Sequence, residues 1–190
     1  MARPRSENRR AALLNAATKV FAEHGLSAPT SLISNTAQVS EGSLFTYFPT
    51  KEELINPLYR EIRLDLAAAI MNDFPRKAGI RIRLEHVWMR WVAWGAANPA
   101  ARRALRYLSI SNAITSDVHA ESGVLFGEVD RLQQDAMEQR KLQLPPAMAS
   151  QALKAWAEMT MDMIERHPEQ AERFSSSGFQ MLWGALTSKP

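Results

Sequence analysis

Hydroxyl, glycine and aromatic side chains crowd the stretch VSEGSLFTYFPTKEEL, which begins at Val39. Serine, threonine and tyrosine hydroxyls can hydrogen-bond phosphates or base edges, and a glycine lets a sugar-phosphate backbone approach closely. The pattern before the proline is helical, and Leu44 and Phe48 share one face because they are four residues apart. With that face buried, the outward residues are of types that suit contact with nucleic acid: Ser40, Glu41, Gly42, Ser43, Thr46 and Tyr47.

Three short predicted helices position these residues. The first covers about residues 9–23 and ends at Gly25. The second begins after Thr30, whose hydroxyl is expected to cap it, and the third begins at Ser40, a good N-cap residue, and ends before Pro49. The tight turn between the second and third makes a helix-turn-helix pattern. A helix of about nine residues, rising about 1.5 Å per residue, fits a major groove about 12 Å wide.

The rest of the chain also has a helical pattern. Thr50 and Glu53 form a T-x-x-E capping box that opens a fourth helix. Alanine, leucine, glutamate, methionine and arginine dominate the composition, and alternating strand patterns are missing. Further helices are predicted at about residues 80–97, 100–112, 116–141, 146–166 and 168–186. The predicted fold is all-α with about nine helices, divided into a helix-turn-helix domain at residues 1–50 and a larger helical domain at residues 51–190.

The composition argues against several classes of protein. The 190 residues include no cysteine, which excludes disulfides, thiolate metal sites and cysteine catalysis. A hydrophobic content of 46% predicts a buried core, and the sequence contains neither a signal-peptide pattern nor an apolar run long enough to span a membrane. A cytoplasmic protein is therefore expected. Because a Gly-rich phosphate loop, GxSxG and HExxH are also missing, we predict no catalytic residue, metal site or cofactor.

The net charge of +3 is unevenly distributed. Arg3, Arg5, Arg9 and Arg10 precede the first predicted apolar face, with Glu7 as the only acidic residue among the first ten. A short basic arm of this kind suits a phosphate backbone, although a solvated polar tail has the same composition.

The run TSLISNTAQVSEGSLFTYFPTKEELI, Thr30–Ile55, resembles the signature of the TetR family of transcriptional repressors. The segment RRAALLNAATKVFAEHG resembles that family's first helix, so that the resemblance covers residues 9–55. It implies a ligand-responsive repressor that binds a pseudo-palindromic operator in double-stranded DNA as a homodimer and is released by a small-molecule effector. The DNA-binding residues that it implies are Thr30, Ser40, Glu41, Gly42, Ser43, Phe45, Thr46, Tyr47 and Lys51.

Three residues depart from the family pattern. Phe45 stands where the family usually has tyrosine, which removes one phosphate hydrogen bond worth about 1 kcal/mol. Gln38 replaces the usual turn glycine, and if the turn requires a positive φ this costs roughly 1–2 kcal/mol. Ser34 replaces a small alanine and should be tolerated.

The resemblance further implies that the last two helices form a four-helix bundle with those of a partner chain. The apolar residues expected at this dimer interface are Trp156, Met159, Met163, Phe179, Leu182 and Trp183. The alternative is that they close the core of the single chain.

An effector pocket is expected among aromatic residues of the larger domain. Its candidate lining is Trp88, Met89, Trp91, Trp94, Tyr107 and Phe126. Aromatics at helical spacing more often belong to a plain core than to a pocket lining. The cluster of Arg102, Arg103 and Arg106 suits either an anionic effector or a solvated face. His86 and His119 lack the spacing of paired metal ligands.

Two other functions compete with DNA-binding regulation. A helix-turn-helix module can act through protein–protein contacts, although a basic arm ahead of the motif argues mildly against that function. An all-α enzyme is disfavoured because Ser109, Ser111, Asp117 and His119 are close in sequence without forming a known catalytic motif. Salt-dependent binding to duplex DNA separates the first function from both alternatives.

Overall fold

The computed structural model describes residues 3–138 and 145–187, and every element of regular structure in these ranges is a helix. A short 3-10 turn at Pro168–Gln170 precedes the last helix. In chain order the helices are α1 (Arg3–His24), α2 (Thr30–Thr36), α3 (Glu41–Tyr47), α4 (Lys51–Met71), α5 (Ile80–Ala97), α6 (Pro99–Ser109), α7 (Ser116–Leu125), α8 (Gly127–Glu138), α9 (Pro146–Arg166) and α10 (Ala171–Thr187). The all-α prediction is therefore confirmed, and α5 and α9 have the predicted limits.

Two predicted helices differ most from the observed ones, while α6 ends at Ser109 and not at residue 112, and α10 begins at Ala171 and not at residue 168. Helix α1 begins six residues before the predicted start at Arg9, because Pro4 lies in the first turn, where a missing N–H costs no helical hydrogen bond. The helix predicted at residues 116–141 is two helices in the described part of the chain. Phe126 N donates to Gly123 O at 3.1 Å in a tight turn, and Gly127 is a weak helix former. Residues 139–141 of that prediction lie outside the described residues.

The chain forms two compact units that do not follow the predicted boundary at residue 50. The first contains the described residues up to Leu64 together with Asn98–Ser122, and the second contains Asp65–Ala97 and the described residues from Gly123 onward. Helix α6 joins the first unit, although it is distant in sequence, because it packs against α1. Helix α4 contributes its first fourteen residues to the first unit and the rest to the second.

The first unit is built on α1, which contacts both α6 and α2. Leu13, Ala17 and Phe21 of α1 are fully buried, as are Ala104 and Leu108 of α6. Their spacing of three to four residues gives each helix one apolar face.

The second unit is built on α5, which contacts α8, α9 and α10. Trp88 of α5 is fully buried, and its indole N–H donates to Ser175 O of α10 at 2.8 Å. Gly178 of α10 lies so close to α5 and α9 that an added Cβ would stand 2.8 Å from Trp88 Cζ2 and 2.9 Å from Thr160 Oγ1. A glycine is therefore required by packing at this position.

Candidate nucleic-acid interface

The turn between α2 and α3 is closed by two backbone hydrogen bonds. Val39 N donates to Ser34 O at 3.0 Å, and Gln38 N donates to Asn35 O at 3.1 Å. This is the Schellman pattern, in which the residue after the helix takes a left-handed conformation. Gln38 has a φ of +56°. The turn therefore requires a positive φ, which is the condition under which replacing the usual turn glycine by Gln38 costs stability. The tight turn fixes the direction in which α3 leaves α2.

Ser40 caps α3 as predicted. Its Oγ accepts a hydrogen bond from Ser43 N at 3.2 Å, and the two hydroxyl oxygens are 2.9 Å apart. The cap satisfies one of the N–H groups that the first turn of a helix leaves unpaired. Local hydrogen bonds therefore stabilise this seven-residue helix, which would not form alone in water.

The inner face of α3 anchors the helix to the first unit. Leu44 and Phe48 are buried, as the spacing predicted. The guanidinium carbon of Arg10 lies 5.5 Å from the centre of the Phe48 ring, and Arg10 Nη1 donates to Glu61 Oε1 at 2.9 Å. Arg10, predicted as part of a basic arm, therefore has a role inside the unit.

The outer face of α3 is open. Glu41, Gly42 and Thr46 are exposed, and Phe45 retains 41% of its accessible surface. An added Cβ on Gly42 would meet no atom within 4 Å. Thr46 Oγ1 donates to Gly42 O at 2.9 Å, which leaves the hydroxyl oxygen able to accept. Tyr47 is half-buried, at the edge of this face.

The expectation that Thr30 caps α2 is wrong. Thr30 is the first residue of the helix, and the N-cap position belongs to Pro29, which makes no side-chain cap. The Thr30 hydroxyl instead donates to Glu41 Oε1 at 3.0 Å. A carboxylate is a stronger acceptor than a neutral group, and this hydrogen bond links the starts of α2 and α3.

Lys51 is held inside the first unit. Its Nζ donates to Ala28 O at 2.6 Å and lies 5.9 Å from the centre of the Phe21 ring. An ammonium group has three donors, so a contact with a phosphate would use the remaining ones. Helix α4 begins at Lys51 behind the predicted cap, since Glu53 N donates to Thr50 Oγ1 at 3.1 Å. The phosphate contact of Lys51 stays a prediction.

Sequence analysis missed one polar clamp within the first unit. Asn56 Nδ2 donates to Glu52 O at 3.0 Å and to Ala113 O at 2.9 Å, while Asn56 Oδ1 accepts from Thr115 N at 3.0 Å. The clamp ties the first turns of α4 to the segment before α7. Two of the partners of Asn56, Ala113 and Thr115, are 57 and 59 residues away, so no local pattern could have indicated the clamp.

The candidate pocket residues differ in burial, and they are divided between the two units. Trp88 and Trp94 are buried, and the Trp94 indole N–H donates to Asp65 Oδ2 at 2.7 Å. Met89, Trp91 and Phe126 are half-buried in the second unit. Tyr107 belongs to the first unit and is exposed. Burial of this kind fits both a plain core and the lining of a closed pocket, so the pocket stays a prediction.

The residues predicted at a dimer interface differ in exposure. Phe179 and Leu182 are buried within the single chain, so they have little surface left for a partner. Trp156, Met163 and Trp183 are half-buried. Met159 on α9 is 49% exposed, and sequence analysis missed two exposed methionines on the same two helices, Met148 and Met181.

Other candidate groups have structural surroundings. Arg102 is buried, so it does not lie on the solvated face considered for this cluster. Arg103 and Arg106 are exposed. His86 Nε2 is 3.0 Å from Ile70 O, and the His119 ring contacts the Tyr59 ring edge-on. Over the described ranges, no three His, Asp or Glu side chains are grouped as metal ligands would be. None of the described helices is long and apolar enough to cross a membrane.

Comparison with known proteins finds the same family that the N-terminal sequence resembles. The family model of the bacterial regulatory proteins of the tetR family matches residues 13–58. A TetR-family transcription regulator from Shewanella sp. PV-4 is 22% identical, with a TM-score of 0.80 over 95% of this chain and 99% of that one. A TetR-family regulator from Marinobacter aquaeolei VT8 is 18% identical, with a TM-score of 0.83 over 98% and 100%. The TetR-like regulator LfrR from Mycobacterium smegmatis, solved in complex with proflavine, is 18% identical, with a TM-score of 0.68 over 96% and 99%.

Proposed function

We propose that this chain, a DNA-binding transcription regulator of the TetR family, is a repressor that a small-molecule effector releases from its operator. In this proposal two copies bind one pseudo-palindromic site in double-stranded DNA. The protein acts in the cytoplasm, and its function includes no catalytic step.

The outer face of α3 is the observation that carries the proposal. The helix is capped at Ser40 and anchored through Leu44 and Phe48, while Gly42, Phe45 and Thr46 are left exposed by every element that the structure describes. Exposed small and hydroxyl residues beside an open glycine suit close approach to a groove. In a helix-turn-helix protein this second helix of the motif enters the major groove.

The proposed dimer follows from the two-fold symmetry that such regulators need. Two identical recognition helices read half-sites about 34 Å apart, which is one turn of B-DNA. Exposed Met148 and Met159 on α9 and Met181 on α10 support an interface on these helices, because methionine is enriched at protein–protein interfaces. Phe179 and Leu182 would then support the interface from within the core.

The proposed effector binds in the second unit. The likeness to LfrR, solved with proflavine, supports a small-molecule effector, although 18% identity carries over the fold and no particular ligand. Helix α4 contributes residues to both units, so a shift of α4 would carry the signal to the helix-turn-helix. Allosteric couplings of about 1–3 kcal/mol change affinity by roughly 5- to 150-fold.

Footprinting on the DNA that flanks the protein's own gene tests the proposal. We expect a protected inverted repeat and a binding constant that falls steeply with salt concentration, since each phosphate contact contributes a slope of about −0.9. If purified protein gives neither a protected site nor a gel shift at low salt, DNA binding by this motif is refuted. A module acting through protein contacts would then be favoured, with the exposed Phe45 as its natural anchor.

Two threonines provide a matched pair of variants. Thr46 on α3 and Thr36 on α2 are both exposed, and each hydroxyl donates to the carbonyl four residues earlier, at 2.9 Å and 2.8 Å. Thr46→Ala should weaken the footprint, whereas Thr36→Ala should leave it unchanged. Equal effects of the two variants would contradict the assignment of α3 as the reading helix.

A further inference from the structure

The outer face of α3 lacks the side chains that most often read purines. Between Ser40 and Thr50 the sequence SEGSLFTYFPT contains no arginine, lysine, asparagine or glutamine. Arginine and lysine read guanine, and asparagine and glutamine read adenine, by paired hydrogen bonds in the major groove. The only charged residue is Glu41, whose carboxylate accepts a hydrogen bond from Thr30. Base discrimination by this helix must therefore use other groups.

Phe45 is the largest apolar side chain on that face. It is 41% exposed, whereas Leu44 and Phe48 on the inner face are buried. One turn earlier on the same face, Gly42 has open space where a side chain would stand. A groove wall can therefore approach the helix backbone closely and bring the Phe45 ring against base edges.

We infer that Phe45 recognises the C5-methyl group of a thymine in the major groove. This inference rests on the proposed function, since it needs the outer face of α3 to meet DNA. A phenyl ring has no hydrogen-bond donor for a phosphate, and its preferred contact is apolar. Thymine is the base that presents a methyl group in the major groove, and phenylalanine is among the residues that contact it. Phe45 is thus a specificity-determining residue.

Removal of single methyl groups from the DNA tests the inference. Wild-type protein first selects duplexes from a random library, and each thymine of the selected half-site is then replaced by deoxyuridine, which pairs identically but lacks the methyl group. Each half-site should contain one thymine that is sensitive to this replacement. Replacing that thymine in a single half-site should weaken wild-type binding about fourfold, as expected when one buried methyl-sized group is lost. With both half-sites changed, the losses multiply to about 15-fold.

Phe45 variants identify the reader of that methyl. Phe45→Ala should bind the thymine and deoxyuridine duplexes equally, whereas Phe45→Leu, which keeps an apolar group, should retain part of the discrimination. Phe45 is exposed, so both variants should melt near the wild-type temperature. Thr46→Ser is the matched control, because it removes only the methyl group of the neighbouring threonine. It should leave the fourfold effect at that thymine unchanged.

The outcomes separate this inference from the proposed function. If wild-type protein selects no duplex, DNA binding itself fails. If it selects duplexes and every deoxyuridine replacement is neutral, or the effect persists in both Phe45 variants, the inference is wrong and the DNA-binding proposal stands. Loss of the effect in Thr46→Ser would assign the methyl contact to Thr46. A uniform loss of affinity in Phe45→Ala, independent of the methyl group, would indicate a contact with deoxyribose.

Discussion

Two helical glycines show how differently α3 and α10 are packed. Gly42, on the outer face of α3, has no atom within 4 Å of the place where a Cβ would stand. Gly178 of α10 has Trp88 and Thr160 within 3 Å of that place. Packing inside the second unit therefore favours a glycine at position 178, whereas no atom in the described part of the chain restricts a side chain at Gly42. Open space alone does not distinguish Gly42, since Gly79, Gly123, Gly127 and Gly184 have it too, but Gly42 lies on the exposed face of α3 that we propose to meet DNA.

The surrounding residues show the same contrast. Around Gly178 the buried Trp88 ring has its N–H bonded to Ser175 O, so the packing is closed and its polar group is satisfied. Around Gly42 the cap at Ser40 satisfies the helix locally while an exposed phenyl ring, Phe45, stays in solvent. Interior packing and external recognition can thus be distinguished by asking which groups the single chain leaves without a contact.

Gly178→Ala is expected to have the largest effect. Overpacking typically costs about 1–3 kcal/mol, and the better helix propensity of alanine returns at most about 1 kcal/mol. The Trp88 ring cannot move freely because its N–H is bonded, so the free energy of unfolding should fall by about 1–2 kcal/mol. Urea denaturation measures it. A neutral result would mean that the second unit is less closely packed at this glycine than its distances indicate.

Gly42→Ala is expected to change stability and DNA affinity in opposite directions. The new methyl group meets nothing in the chain, so the free energy of unfolding should rise by about 0.5–1 kcal/mol. The same methyl group should obstruct the approach to DNA and weaken binding about tenfold, a cost within the usual range for overpacking. Urea denaturation and titration of the selected duplex measure the two effects. Unchanged affinity would remove the contrast between the two glycines.

Gln38→Gly is expected to stabilise the first unit. Gln38 has a φ of +56°, and a residue with a side chain costs about 1 kcal/mol in this conformation. The variant should raise the midpoint of urea denaturation accordingly. Asp73, at a φ of +54° in the second unit, is the comparison, since aspartate tolerates this conformation better and its carboxylate also contacts Arg90. A larger gain from Asp73→Gly than from Gln38→Gly would contradict this explanation.

Substitutions of Arg9 and Arg10 are expected to have the smallest effects. The Arg10 substitution should change stability, and the Arg9 substitution should change DNA binding. Arg10→Gln loses the exposed ion pair with Glu61, which is typically worth less than about 1 kcal/mol, together with the contact over Phe48. Arg9 is exposed, and Arg9→Gln should leave stability unchanged while reducing the salt slope of DNA binding by about two, because each of the two copies loses one phosphate contact. Denaturation and salt titrations of both variants measure this. An unchanged salt slope in Arg9→Gln would mean that the arm does not contact phosphates.

Local sequence signals predicted helix α3 well. Ser40 as the N-cap, Leu44 and Phe48 as the inner face, and the end before Pro49 all follow from interactions within about five residues. The same reasoning failed for Thr30, because its hydroxyl bonds to a carboxylate eleven residues away. The DNA-binding, pocket and interface roles of individual residues stay predictions.

Apolar periodicity determined the helices of this protein, because a helix buries one face whatever it packs against. Which faces meet was decided only by the tertiary structure. Helix α6 packs on α1 across seventy-four intervening residues, and Trp88, predicted as part of a pocket lining, is buried beneath Gly178. Periodicity records that a side chain is buried but does not record its partner. Core and cavity therefore look alike in sequence. The outer face of α3 could be predicted from its own residues, because that prediction required only that the inner face be buried and not which helix it packs against.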